Sequence, residues 1–148
     1  MQYKIIPDVV PRRNIRTVKE QTTILECAKI MTEIHVAAMI VVDDTGMLIG
    51  ILTERDMVQR VLAKGLDPVK TAVGKIMTPK PDTLAPDDLA MDALELMTSR
   101  NYRHLPVAEN GRCVAMVSIR DLYAAAKAGL EKDIRETEAF VFGDRYGA

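Results

Sequence analysis

The sequence predicts a mixed α/β (α+β) fold made of two copies of one unit, each running strand, helix, strand, strand, helix. Three observations predict it: the chain repeats itself at a nearly constant offset, its apolar residues switch between helical and strand spacing, and a turn signal separates paired strands in each copy. One unit of about 60 residues would bury too little apolar surface to be stable alone. We therefore expect the two copies to pack sheet to sheet about a pseudo-twofold axis, leaving two equivalent clefts.

The repeat can be followed residue by residue. Thr17-Val18 at the start of the first copy matches Thr83-Leu84 in the second, at an offset of 66. The first copy later turns through Asp44-Thr45-Gly46 and the second through Asn110-Gly111, so the offset becomes 65 for everything that follows. A length change confined to a turn is what a structural repeat tolerates, because turns lie at the surface.

The elements follow from local patterns. Apolar residues at helical spacing, such as Ile24, Met31 and Ile34, predict the helix of the first copy, and Leu89, Ala93 and the pair 96–97 predict its counterpart. Runs rich in Val, Ile and Met beside turn signals predict the strands. The predicted elements lie at 15–18, 23–34, 38–43, 47–53 and 54–64 in copy one, and at 81–84, 88–100, 104–109, 112–118 and 119–138 in copy two. We divide the chain into residues 1–70, the first copy with its N-terminal segment, 71–127, the second copy, and 128–148, an extended C-terminal helix and tail.

The last helix is longer than its counterpart in the first copy. Its pattern runs from Leu122 to Phe140 and is followed by a polar tail. One interpretation is a solvated extension that covers the end of the core. The other is a contact between two copies of the chain or an element that passes a signal to a partner.

Composition excludes several classes of function. The chain has 148 residues, 28% of them charged, with a net charge of −1, so it lacks the basic excess that nucleic acids or anionic membranes attract. Its longest apolar run, Val36–Val42, is far shorter than the ~20 residues of a membrane helix. Two prolines interrupt the N-terminus before a signal-peptide core could form. We expect a cytoplasmic protein in which Cys27 and Cys113 are reduced.

Neither catalysis nor metal binding is indicated. The chain has two histidines and no arrangement of Ser, His and Asp or of Cys and His for nucleophilic catalysis. His35 and Cys27 are eight residues apart, but no further ligands follow at metal spacing. We therefore expect no enzyme activity, no catalytic cofactor and no metal.

The repeat resembles the CBS-domain family, in the form of a tandem pair or Bateman module. The resemblance covers residues 12–127 and rests on Thr-Val before a helix that ends in Met, on "HLPV" at His104–Val107, and on "GILTERD" at Gly50–Asp56 with its degenerate partner "AMVSIRD" at Ala115–Asp121. It implies a stand-alone regulatory module that binds AMP, ADP, ATP, NAD or S-adenosylmethionine in its clefts. It also implies a homodimer and leaves room for an unidentified protein target.

The two copies of hydroxyl-x-Arg-Asp have two interpretations. Ser or Thr followed three residues later by an acid is a capping box, although the reciprocal box favours the longer Glu or Gln over Asp. The functional interpretation is a nucleoside site, because the carboxylate of Asp56 or Asp121 can accept both ribose hydroxyls. The hydroxyl of Thr53 or Ser118 and the first amides of the helix would suit a phosphate or ribose oxygen. The residues expected to form the apolar slot for the base are Ile51, Met116, Val36 and Met39.

The resemblance also implies how each cleft is composed, because CBS pairs combine the Asp of one repeat with the first strand and the basic pair of the other. The first cleft would join Thr53 and Asp56 to Lys80, Pro81, Arg103 and His104. The second would join Ser118 and Asp121 to 14–16, Val36 and Ala37. The second copy has Arg103-His104 where the first has Ala37-Ala38, so the clefts are expected to be unequal, with Arg16, Arg55 and Arg120 as substitute cations.

Two functions from different classes remain open at this point. The first is a non-catalytic sensor that binds an adenine nucleotide and reports its presence through a change of shape or of dimer geometry. The alternative is a structural adaptor that binds another protein and whose clefts are vestigial.

Overall fold

The computed structural model describes the backbone of residues 2–146 and the side chains of residues 2–141. The first repeat forms strand β1 (Thr17–Val18), helix α1 (Ile24–Ile34), strands β2 (Ala38–Val42) and β3 (Leu48–Thr53), and a short helix α2 (Glu54–Asp56) that continues as a π-helical segment, Met57–Leu62. The linker carries helix α3 (Val73–Ile76) and strand β4 (Thr78–Pro79). The second repeat adds helix α4 (Ala90–Arg100), strands β5 (His104–Glu109) and β6 (Arg112–Ser118), and helix α5 (Ile119–Tyr146).

The two repeats share one plan, as the sequence predicts. Strands β2 and β3 pair antiparallel around their turn, and so do β5 and β6. The α1 and α4 helices each end in a left-handed residue with φ of 59°, His35 in one and Asn101 in the other. The two positions are 66 residues apart, so the predicted offset holds for backbone geometry as well as for sequence.

Alternation along β2 divides the interior into layers. Met39 and Val41 face helix α1 in the core of the first repeat, together with Cys27 and Met31. Ile40, with its neighbours on the opposite face of the strand, forms a second cluster against which Cys113 and Met116 of the second repeat pack. Successive strand residues point to opposite faces, so one strand serves both a repeat core and the sheet-to-sheet interface.

The repeats exchange their leading segments. Ile5 and Val10 of the N-terminal segment are buried in the core of the second repeat. Val73 and Ile76 of the linker are buried in the core of the first. Strand β4 continues this exchange, since it pairs with β3 at Gly50–Pro79 and completes the sheet of order β1-β2-β3-β4.

The structure corrects the predicted elements in three places. The strand expected at 81–84 is reduced to one parallel bridge between Leu84 and Val107, because residues 81–83 leave the linker strand as irregular chain. The linker strand and helix α3 were not predicted, since their short apolar pattern resembles a loop. The last helix begins at Ile119 and continues to Tyr146, whereas the pattern predicted an end near residue 138.

Candidate functional site

A cleft of about 320 Å³ opens between the two repeats. This volume lies at the lower end of the range for small-molecule pockets, about 300–1,000 Å³. One wall comes from the end of β3 and the start of α2, and the other from the linker and the segment that leads into β5. The lining residues are Ala37, Ile51, Thr53–Asp56, Gln59, Arg60, Thr78, Pro81, Asp82 and Asn101–Pro106.

The predicted first cleft is therefore largely assembled in the structure. Thr53, Arg55 and Asp56 of the first repeat and Arg103 and His104 of the second line the same cavity. Ile51, expected on the apolar slot, and Pro81 from the linker also line it. Lys80 does not line it: its backbone amide donates to the Ile49 carbonyl (3.1 Å), and its side chain is exposed.

Both hydroxyl-x-x-Asp motifs form reciprocal capping boxes. The Thr53 amide donates to Asp56 Oδ2 (2.9 Å) and the Asp56 amide donates to Thr53 Oγ1 (3.2 Å). Ser118 and Asp121 repeat the pair at 2.9 and 3.1 Å. The general preference of this box for Glu or Gln does not exclude Asp here, because the turn brings the carboxylate within reach. The Glu54 amide donates to the Ala37 carbonyl, so the amides of residues 53, 54 and 56 are engaged within the chain and are not open to a phosphate.

The capping box leaves the Asp56 carboxylate with spare capacity. A carboxylate has about four lone-pair positions, and the Thr53 amide occupies one of them. The second oxygen, Oδ1, lies 3.7 Å from Arg60 Nε in an ion pair. The Asp56 side chain is 14% exposed and opens into the cleft. Capping and ligand binding are thus compatible roles for one side chain.

Arg60 is a cleft residue that the sequence reasoning missed. Its Nη1 donates to the Ile76 carbonyl (2.7 Å) and to Thr78 Oγ1 (3.4 Å), both in the linker. The sequence does indicate one of its contacts: Arg60 follows Asp56 by four residues, a spacing that places the two side chains on the same helical face. Its contacts with Ile76 and Thr78 could not be predicted, because the structure of the linker was not predicted.

The basic pair stands on the opposite wall. Arg103 is exposed, whereas His104 is half-buried at the start of β5. Burial lowers the pKa of His104 below its ordinary value, with Arg103 acting in the same direction, while the nearby charges of Glu54 and Asp121 raise it. Burial is the largest of these effects, so the environment favours the neutral form of His104.

The other residues predicted for the base slot and for the second cleft are scattered. Met39 is 1% exposed and belongs to the core of the first repeat, so it cannot line an open slot. Ala37 lines the first cleft, and Arg16 lines a separate open groove beside β1. Met116 packs between the sheets, and Val36 is 40% exposed after α1. Period-2 alternation in β2 assigns Met39 to the helix face, which was the signal available to exclude it.

The second motif has the same backbone geometry in a different setting. Ser118 and Asp121 are half-buried and Arg120 is exposed at the start of α5, and none of the three lines the cavity around Asp56. Position 125, which corresponds to Arg60, is alanine. The motif at Asp121 therefore lacks an equivalent of the Arg60 ion pair.

Two stretches of the chain, residues 7–63 and 73–128, match the model of the CBS domain. The chain thus belongs to the CBS-domain family and carries two such domains in tandem. CBS pairs are generally regulatory modules rather than catalysts, and this chain is a CBS-pair regulatory module.

Sequence relatives agree with this assignment. The chain is 37% identical over 123 residues to the CBS domain-containing protein CBSCBSPB2 of Arabidopsis thaliana, covering 83% of this chain and 23% of that protein. It is also 37% identical over 112 residues to an uncharacterized 17.7 kDa protein of Acidianus ambivalens, covering 75% and 66%. The chain spans less than a quarter of the length of the Arabidopsis relative.

Solved structures agree as well. A CBS-domain protein from Burkholderia ambifaria MC40-6 superimposes with a TM-score of 0.79 at 32% identity, covering 86% of this chain and 95% of that one. CBSX2, solved in complex with AMP, superimposes with a TM-score of 0.71 at 25% identity, covering 85% and 97%. Within residues 2–146, none of the helices has the length and apolar character needed to span a membrane.

Proposed function

We propose that the first cleft binds an adenine nucleotide, with AMP as the simplest candidate and ADP, ATP or NAD as alternatives. The observation that carries the proposal is the composition of this one cavity. Asp56, with unused lone pairs, opens into the same cleft as Arg103 and His104. Ile51, Leu105 and Pro106 add apolar surface between them.

Each part of the nucleotide has a matching group. The two adjacent ribose hydroxyls donate to the Asp56 carboxylate, in charge-assisted hydrogen bonds worth about 1.5–3 kcal/mol each. The base lies on the apolar residues. The phosphate meets Arg103 and Arg55, and His104 joins them once it is protonated. The carboxylate, the apolar residues and the cations together support a ligand that contains both a nucleoside and a negative charge.

The AMP complex of CBSX2 supports the same proposal, since that protein shares the fold at 25% identity. A bound nucleotide reports its presence only through different affinities for two states of the module. We propose that the readout is a change in how the two repeats, which form opposite walls of the cleft, sit against each other. The regulated partner is a protein in the cytoplasm.

A thermal-shift panel tests binding. AMP, ADP, ATP and NAD should raise the melting temperature, by a stabilisation of about 2.7 kcal/mol per site at 100 times Kd. GMP should raise the melting temperature less, because the edge of guanine carries different polar groups from the edge of adenine. A flat response to every adenosine compound would favour the alternative function, a structural adaptor with vestigial clefts.

We further propose that the chain forms a homodimer. Val58, Leu62, Leu66 and Val69 are exposed apolar residues in one segment, and Leu62 is 68% exposed. Burying such residues against a second copy is favourable, and twofold dimers are the commonest oligomers. Light scattering should give a mass of about 33 kDa, twice the 16.4 kDa chain. L62E should shift it toward the monomer, whereas a wild-type monomer at micromolar concentration would contradict the proposal.

A further inference from the structure

Arg60 contacts both walls of the first cleft. Its Nε lies 3.7 Å from Asp56 Oδ1 in the first repeat. Its Nη1 donates to the Ile76 carbonyl at 2.7 Å and to Thr78 Oγ1 at 3.4 Å in the linker. The linker then leads directly to Pro81 and Asp82, which line the cleft.

We propose that Arg60 is the positioning residue of this cleft, holding the Asp56 carboxylate and the linker in the arrangement that a nucleoside requires. The proposal rests on the proposed function, because the carboxylate matters to the ligand only if it accepts the ribose. The planar guanidinium is suited to this task, since its fixed fork can serve two partners at once.

The contacts argue for positioning rather than for direct phosphate binding. The donors of Arg60 that are in contact point to a carboxylate, a backbone carbonyl and a hydroxyl, all of them acceptors within the chain. With the Thr53 amide on Oδ2 and the guanidinium near Oδ1, the carboxylate plane is restrained from both sides. A restrained acceptor loses less conformational entropy when the ribose binds.

The second repeat provides a natural comparison. Asp121 forms the same capping box with Ser118, but the position equivalent to Arg60 is Ala125. The capping box alone therefore builds the turn in both repeats. The added guanidinium distinguishes the carboxylate that faces the described cavity, which fits a role in binding rather than in folding.

Calorimetry of R60A with AMP and with adenosine tests the proposal. Both affinities should fall by the same factor, about 3- to 5-fold, because the shared ribose loses its fixed acceptor. R60K should recover part of the loss, since it restores the charge but not the fork. R12A, which removes an arginine from an exposed ion pair with Glu109 outside the cleft, should leave both affinities unchanged. In a D56A background R60A should have a smaller effect, because only its contacts with the linker remain to be lost.

Loss of AMP affinity with adenosine unchanged would overturn the proposal, since it would show a phosphate contact. An undiminished effect in the D56A background would overturn it as well.

Hydrogen exchange of the nucleotide-free protein separates this idea from the proposed function. R60A, but not R12A, should speed exchange of the Thr53 and Lys80 amides, whether or not the wild type binds nucleotide. Unchanged exchange in R60A would overturn the positioning role. Faster exchange in R60A, combined with a wild type that binds no nucleotide, would reject the proposed function alone.

Discussion

The two repeats share a backbone but differ in the side chains around their Asp motifs. Both carry a reciprocal capping box, and both precede it with a helix that ends in a left-handed residue. Around Asp56 the cavity gathers three arginines and a histidine, among them Arg60 and Arg103. The equivalents of Arg60, Arg103 and His104 in the other repeat are all alanine, at positions 125, 37 and 38. The comparison teaches that the motif itself builds a helix start, and that the residues across the cleft decide what it can bind.

The largest expected effect separates the two carboxylates. D56A should weaken AMP roughly 10- to 150-fold, through loss of a charge-assisted contact to the ribose. D121A removes the same capping box and is the matched control for helix stability. It should leave adenosine binding in the Asp56 cleft nearly unchanged and affect only a second, weaker event. Adenosine is the cleaner ligand for this control, because the Asp121 charge raises the pKa of His104. Calorimetry on both variants checks the difference, and equal losses would mean that the clefts are equivalent.

The next effect distinguishes the phosphate from the nucleoside. R103A should weaken AMP by about 10-fold and adenosine by little, because only AMP carries the charge that an exposed guanidinium neutralises. The measurement is the ratio of the two dissociation constants. A ratio equal to that of the wild type would show that Arg103 does not contact the phosphate.

The capping boxes should be of similar strength in both repeats. T53A and S118A should each cost about 1 kcal/mol of unfolding free energy, because each deletes the side-chain acceptor of an N-cap. Chemical denaturation measures both changes without ligand. A large cost at one site only would show that the two helix starts differ in their fold as well as in their ligand chemistry.

The smallest expected effect is a pair of opposite pH dependences at His104. Its pKa is lowered in the folded chain, so the unfolded chain binds more protons, and the stability contribution present above about pH 6.5 is lost as the pH falls. A bound phosphate favours the imidazolium, so AMP affinity should rise about 3-fold as the pH falls from 8 to 6.5.

H104Q should flatten both profiles. Adenosine is the ligand control, because the AMP phosphate itself titrates near pH 6. A wild-type AMP affinity that falls with falling pH, or an H104Q profile that still rises, would contradict a contact between His104 and the phosphate.

The sequence was a good guide to the fold, because the repeat, the turn signals and helical periodicity are local features. Local patterns predicted the strand pairs, whereas the joint cleft of Asp56 with Arg103 and His104 came from the resemblance to CBS pairs. The sequence did not predict the exchange of leading segments, which depends on packing between residues about 80 apart, such as Ile5 and Ala90. The prediction for Met39 was wrong, since apolar character alone does not show which strand face is buried, and Met39 lies on the face that packs against helix α1.

An experimental structure of the chain with AMP tests the central claim most directly. We expect one nucleotide in the cleft between β3 and the linker, with ribose hydroxyls within hydrogen-bond distance of the Asp56 carboxylate and the phosphate beside Arg103. Ribose density at Asp121 with the Asp56 cleft empty, or no nucleotide at saturating concentration, would contradict it.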